Sequence, residues 1–179
     1  MDRPPSTPTP GPDMTSDKNR PFQILIVDDE EDLVTFLAHR LRKRGMEVTT
    51  ALEGTSALAV AAKHKFDVAL VDLKMPGIDG IQVMEQLRRM QPYVEIIMLT
   101  GHGSHDSAWE AGRLQAFRYL LKPYDFDDLC EQILTAANQR RRRMQQDFDS
   151  RLSDLMSSTT SPRDIIEESE KLRREFEQD

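Results

Sequence analysis

Short runs of Ile, Leu and Val alternate along this chain with longer stretches in which apolar residues recur every three or four positions. Runs of the first kind predict strands covered on both faces, and stretches of the second kind predict amphipathic helices. Five strand and helix pairs follow. Phe22–Val27 is the first strand, and the first helix, about Glu30–Arg44, carries Leu33, Phe36, Leu37 and Leu41 at helical spacing before Gly45 stops it. The second strand is Met46–Thr50, and the second helix, about Thr55–His64, has Ala57, Ala61 and Ala62 on one side. Asp67–Val71, the third strand, is apolar at nearly every position; the loop Met75–Gly80 and a third helix, about Ile81–Met90, come next. Pro92 separates that helix from the fourth strand, Val94–Leu99. The fourth helix is expected at about Ser104–Leu114 and the fifth strand at Phe117–Leu121. Asp125 opens the fifth helix as an N-cap, with Asp128 three residues on. This alternation predicts a parallel sheet with helices on both faces, and no repeat of solenoid period competes with it.

The pairs occupy residues 21–138 and leave a segment at each end. Five of the ten prolines fall within Pro4–Pro12, among Ser, Thr and Gly, so residues 1–20 are expected to form a disordered tail. Residues 139–179 read as a helical extension. Neither Gly nor Pro intervenes between Asp125 and Ser161, and Met144, Phe148, Leu152 and Leu155 continue an apolar spacing of four, four and three. A helix reaching about Met156 would be roughly 48 Å long at 1.5 Å per residue. Such a stripe serves either a homodimer built as a coiled coil or the docking of another protein. Ser161-Pro162 with Asp164 then opens a further helix, whose thin stripe of Ile165, Ile166, Leu172 and Phe176 is marginal alone.

A length of 179 residues, 38% of them hydrophobic, suits one core with polar extensions. The net charge of -7 argues against nucleic acid as the main ligand, because such proteins neutralise phosphates with basic surface. Arg140–Arg143 is the local exception: a phosphate-binding surface or a solvated helix neck, the neck being favoured by the ten acids against five bases over residues 146–179. A single cysteine excludes a disulfide framework and points to a reducing cytosol; Cys130 falls in the stripe of Phe126, Leu129, Ile133, Leu134 and Ala137 as a small apolar residue. The N-terminus has no continuous apolar stretch and no run approaches the roughly 20 residues of a membrane span, so a cytoplasmic protein is expected.

In an open parallel sheet the carboxyl ends of the strands meet along one edge, where ligands bind. Asp28-Asp29 end the first strand, Asp72 the third, Thr100 the fourth and Lys122-Pro123 the fifth. Crowded carboxylates must hold a proton or a cation, and oxygen-only ligands point to a hard ion such as Mg²⁺, which takes one or two carboxylates and keeps several waters. Singly, Asp28 and Asp29 read better as helix caps and Lys122 as a solvated surface lysine. Their common place at strand ends of one polarity speaks for a site.

Val27-Asp28-Asp29-Glu30, Val71-Asp72-Leu73-Lys74-Met75-Pro76-Gly77-Ile78-Asp79-Gly80, Leu99-Thr100-Gly101-His102-Gly103 and Tyr119-Leu120-Leu121-Lys122-Pro123 resemble the receiver family of response regulators over about residues 22–138. The Thr-Gly-His-Gly stretch is similar to receivers that precede sigma-54-dependent activator domains. The resemblance implies a flavodoxin-like, doubly wound α/β fold with strand order 2-1-3-4-5 and a cis Lys122-Pro123 bond. It implies that Asp72 is the phosphoryl acceptor and that Asp29, Asp72 and the Lys74 backbone carbonyl ligate Mg²⁺, Asp28 holding a coordinated water. Lys122 would stabilise the transferring group, and Thr100 and Tyr119 would form the switch. The implied donor is a histidine kinase or phosphotransfer protein. The output is a protein partner met at the face of the fourth helix, fifth strand and fifth helix, or along the C-terminal helix. A signalling domain, with at most slow autophosphorylation and autodephosphorylation, is expected rather than a turnover enzyme. Lys74 and His102, two residues beyond Asp72 and Thr100, flank the path of attacking water and are expected to tune the phosphoryl lifetime. Gln115 and Arg118 depart from the family pattern, which often has Gly and Asp there; these changes alter partner-facing charge and leave the chemistry intact.

Three rivals are weighed. A haloacid-dehalogenase-like phosphatase needs a second Asp two positions after the nucleophile, where Lys74 stands. A dinucleotide-binding domain needs a glycine-rich turn after the first strand, where the chain reads Asp-Asp-Glu-Glu-Asp. A nucleic-acid-binding regulator would act through Arg140–Arg143.

Overall fold

The computed structural model describes residues 20–101, 116–158 and 161–177. The expected tail up to residue 19, the fourth helix expected at Ser104–Leu114, and His102 lie outside the described residues. Strands β1 (Gln23–Val27), β2 (Glu47–Ala51), β3 (Val68–Asp72), β4 (Glu95–Thr100) and β5 (Arg118–Leu121) form one sheet in the order β2-β1-β3-β4-β5. Every pairing is parallel, with Val27 opposite Val71 and Asp72 opposite Leu99. Helices α1 (Glu31–Lys43), α2 (Gly54–Ala61) and α3 (Gly80–Met90) connect the strands; α4 (Phe126–Ser158) and α5 (Pro162–Glu177) follow β5. The doubly wound, flavodoxin-like order is the expected one, and element ends differ from the sequence reading by up to three residues.

Strand alternation sorts the core into two layers. Ile24, Ile26, Val68, Leu70, Ile97 and Leu99 pack under α1 and the first turns of α4, while Leu25, Val27, Ala69, Val71, Ile96 and Met98 pack under α2 and α3. All twelve are at most 1% exposed, and each of them apart from Ala69 contributes roughly 1.5–3 kcal/mol of transfer free energy. Gly45, at φ 80, ends α1 in the left-handed conformation that favours glycine. Asp79 caps α3 reciprocally with Gln82, and Asp125 accepts from the amides of Asp127 and Asp128 to cap α4. Gln91 ties α3 to α2: its buried amide accepts from Phe66 N–H and donates to the carbonyls of Ala61 and His64, at 2.8–2.9 Å.

The C-terminal extension is continuous with the sheet-packing helix. α4 spans 33 residues without Gly or Pro, about 50 Å at 1.5 Å per residue, and α5 turns back along it. Met144 and Phe148 of α4 meet Leu172 and Phe176 of α5, with Tyr93 and Leu152 packed against them. Arg151 closes the pair by a two-pronged bond to Glu175, 3.0 Å on each arm. The stripe expected to serve a homodimer or docking partner is therefore covered, over Met144 and Phe148, by the chain's own α5.

Candidate functional site

Parallel polarity brings the carboxyl ends of β1, β3, β4 and β5 to one edge, and four side chains converge there. Lys122, beyond β5, places Nζ 2.6 Å from Asp28 Oδ2 and 2.9 Å from Asp72 Oδ1. Lys122 N–H donates to the Thr100 carbonyl at 2.7 Å, which fixes the strand end that carries the ammonium. The Lys122-Pro123 bond is cis. Asp28 accepts on its other oxygen from Glu30 N–H at 3.0 Å, and Asp72 from Lys74 N–H at 2.8 Å. Asp28 is 1% exposed, Asp72 6% and Thr100 7%, so the site is a shallow pit in which charges keep much of their strength.

Electrostatics in the pit are governed by burial and by one cation. Burial pushes the Asp28 carboxyl above its ordinary range, against the Lys122 hydrogen bond, the Glu30 amide and the Lys122 charge; the Asp72 charge adds to the rise. For Lys122, burial opposes the charge, yet the hydrogen bonds and charges of Asp28 and Asp72 together hold it above the ordinary lysine range. The ammonium is therefore charged at neutral pH.

Glu30, which the sequence did not single out, also reaches Lys122, at 3.3 Å. Its position directly after Asp28-Asp29 was the available signal. Asp29 stands apart: it is exposed and, among the described residues, has no hydrogen bond or ion pair. The lysine is thus shared by Asp28, Asp72 and Glu30 and not by Asp29, and among the described residues no three His, Cys, Asp or Glu side chains come together as a ready-made metal cage. Lys74 is exposed beside the site and touches it through its amide.

Thr100 and Tyr119 lie on the same face of neighbouring strands. Thr100 pairs with Leu121 and Met98 with Tyr119, which makes Thr100 and Tyr119 diagonal neighbours. The Tyr119 hydroxyl is buried with no hydrogen-bond partner among the described residues, and burial raises its pKa despite the nearby charge of Arg88. Gly80 opens α3 against the acceptor strand: a Cβ there would sit 2.1 Å from the Asp72 carbonyl oxygen, so only glycine permits this approach.

A second cluster of charges occupies the opposite, amino edge of the sheet, and it overturns the reading of Arg140–Arg143 as a solvated neck. Arg140, 3% exposed, reaches Asp67 at 3.1 Å, and Arg143 reaches Glu95 at 2.8 Å. Arg141 stacks over Phe22 at 4.4 Å from the ring centroid. Arg142 is exposed, and Arg141 and Arg143 are half-buried. The run serves as an anchor for α4, because acids distant in sequence face Arg140 and Arg143, and this pairing takes part of the charge on which a nucleic-acid reading depended.

The fold is that of a flavodoxin-like α/β domain with a charged constellation at the carboxyl edge of its sheet. Residues 24–134 match the response regulator receiver domain family, and the chain belongs to that family. It is 35% identical over 131 residues to the transcriptional regulatory protein GlrR of Escherichia coli, covering 69% of this chain and 30% of that protein. It is 31% identical over 111 residues to sporulation initiation phosphotransferase F of Bacillus subtilis, covering 62% of this chain and 90% of that protein. Among solved structures it superposes on the response regulator TrrA of Thermotoga maritima in complex with Mg²⁺-BeF, with TM-score 0.58, 31% identity, and coverage of 64% and 98% of the two chains. No helix among the described residues is long and apolar enough to cross a membrane.

Proposed function

We propose that Asp72 accepts a phosphoryl group from a phosphohistidine on a kinase or phosphotransfer protein, and that the acyl phosphate is reported to a protein partner. The observation that carries this reading is the single ammonium of Lys122 held between Asp28 and Asp72. As an Asp72 carboxylate oxygen forms its bond to phosphorus, the bond from phosphorus to the histidine nitrogen breaks. The imidazole leaves with the electron pair and takes up a proton. Charge in this loose transition state lies on the equatorial oxygens, where a fixed cation stabilises it without reorganising. Lys122 is that cation, and Lys74 N–H, already donating to Asp72, keeps the carboxylate oriented.

The donor set fits Mg²⁺: it is all oxygen, with two buried carboxylates and a third, Asp29, at the rim. Asp28, Asp29, Asp72 and the Lys74 carbonyl are the groups that would hold it. When bound, the ion supplies further neutralisation of phosphoryl oxygens. The TrrA structure, described with Mg²⁺-BeF, supports that assignment by likeness.

Thr100 is the group that turns toward the phosphoryl oxygens, and Tyr119, diagonal to it and with no hydrogen-bond partner for its hydroxyl among the described residues, is the ring that follows. Lys74 and His102 are proposed to set the lifetime of the acyl phosphate by charge and access. Asp72→Asn tests the acceptor: incubation with an active kinase and Mg²⁺ should give no base-labile label on that variant, and full labelling would remove Asp72 from this role.

A further inference from the structure

The hairpin of α4 and α5 hangs from the amino edge of the sheet, and one of its flanks is not satisfied by its own chain. Met156 and Ile166, at 61% and 60%, are the most exposed large apolar side chains among the described residues. Successive side chains on an α-helix are turned by about 100°. The seam between the two helices is marked by Phe148 packed edge-on against Phe176 at 5.4 Å. Met156, eight residues beyond Phe148, is turned about 80° from that seam, and Ile166, ten residues before Phe176, by the same amount. Because α4 and α5 run in opposite directions, these turns carry both side chains to one flank. Arg142 and Asp149 of α4 and Glu170 and Arg173 of α5 share it, at about 60–120° from the same two phenylalanines. On each helix the arginine stands nearer the sheet and the acid nearer the free end. None of the four has an ion pair among the described residues; Asp149 accepts from Gln145 at 2.7 Å, and Arg173 Nε is buried without a hydrogen-bond partner among the described residues. Around them the free end is acidic, with Asp154, Asp164, Glu167 and Glu168 exposed.

We propose that this flank joins two copies of the chain, their hairpins laid antiparallel into a four-helix bundle. An interface between like copies is self-complementary, each contact occurring twice. Charge selects the direction. Laid parallel, two copies would set acid on acid at the free end and arginine on arginine at the root. Laid antiparallel, Asp149 and Glu170 of each copy face Arg142 and Arg173 of the other, and opposite potentials fix the register. Met156 and Ile166 then cover the aliphatic stems of those arginines and leave water. Met144 and Phe148 stay inside their own hairpin, so the bundle is built from two closed pairs and not from the exposed stripe of a single helix. The carboxyl edge of the sheet, remote from the hairpin, remains open in both copies, and pairing is expected whether or not Asp72 carries a phosphoryl group.

Sedimentation velocity on the full chain tests this. Two large apolar side chains per copy are a small anchor, so a dissociation constant on the order of 1–10 µM is expected at low salt. Raising the ionic strength from about 0.05 to 0.5 M should weaken pairing about tenfold, because the charges lie at the surface. Asp149→Lys with Glu170→Lys, and separately Arg142→Glu with Arg173→Glu, should each be monomeric alone, since root and free end then carry one sign. An equimolar mixture of the two should restore the dimer as a heterodimer. Should either variant lose helix by circular dichroism, Asp149→Asn with Glu170→Gln, or Arg142→Gln with Arg173→Gln, replaces it and should weaken pairing about tenfold. A parent chain that stays monomeric at about 100 µM in low salt, ten times above the expected range, overturns the proposal. So does a dimer formed equally well by both charge-reversed variants, which would use another face, and so does a mixture of folded charge-reversed variants that remains monomeric.

Discussion

Arg140 lies 3.1 Å from Asp67, and the two side chains are 3% and 0% exposed, which makes them a buried ion pair joining α4 to the entrance of β3. Asp67 also receives Arg20 at 3.0 Å and the Gln23 amide at 2.8 Å. Its carboxylate is thus the hub of the amino edge.

Removing that hub should be costly. Asp67→Ala leaves the Arg140 guanidinium buried without its carboxylate, and a loss of about 3–5 kcal/mol is expected. Arg140→Met should cost less, because Arg20 and Gln23 still satisfy Asp67. Urea unfolding of the two variants checks the order; equal losses would mean that Asp67 is not the hub.

At the carboxyl edge, the pH dependence of stability follows from Asp28. Its carboxyl is raised by burial, so above the ordinary aspartate value of 3.8 the native state binds more protons than the unfolded chain. Stability contributed by this group therefore falls as pH rises through that window. Asp28→Asn removes the buried charge and keeps the shape. The variant is expected to be more stable than the parent at pH 7, with the difference shrinking toward pH 4, in denaturant titrations at both values.

Glycine at position 80 is required by the acceptor strand. In Gly80→Ala the new Cβ meets the Asp72 carbonyl at 2.1 Å, and backbone cannot yield as a flexible side chain would. Overpacking of about 1–3 kcal/mol is expected, with slower labelling of Asp72 because α3 or the acceptor must shift. Thermal melts and the labelling rate are the measurements; an unchanged rate would place the strain away from Asp72.

Tyr119 has the opposite profile. A buried hydroxyl without a partner costs free energy, so Tyr119→Phe should leave stability within about 0.5 kcal/mol of the parent or raise it. Tyr124→Phe should behave alike, since its hydroxyl is also buried and unpartnered among the described residues. A loss above about 1 kcal/mol in either would reveal a hydrogen bond that matters.

Which parts of this were readable beforehand depended on whether the information was local. The parallel sheet and the convergence of Asp28, Asp72, Thr100 and Lys122 follow from strand polarity, which runs of Ile, Leu and Val and the turns between them declare, whereas the strand order was legible only through the family resemblance. Glu30 was missed because an exposed acid at a helix start looks like an ordinary first-turn residue. Asp29 was placed in the cluster by its position at the end of the first strand and by the family resemblance, yet it lies in the bend beyond β1 and is exposed. Gln91, Asp67 and Glu95 satisfy groups far away in sequence, and no local pattern announces such a buried polar residue. For the same reason Arg140–Arg143 read as surface: charge counted along the chain does not include the acids that fold brings opposite.

The long helix also bears on where this domain can be cut. A fragment ending at residue 138 would keep every strand and the whole acceptor pit, yet strip the guanidiniums of Arg140 and Arg143 from acids already sealed inside. Its weakness would surface at the rim farthest from the chemistry. The smallest piece able to stand alone is expected to run past Phe148, beyond the boundary that strand counting suggests.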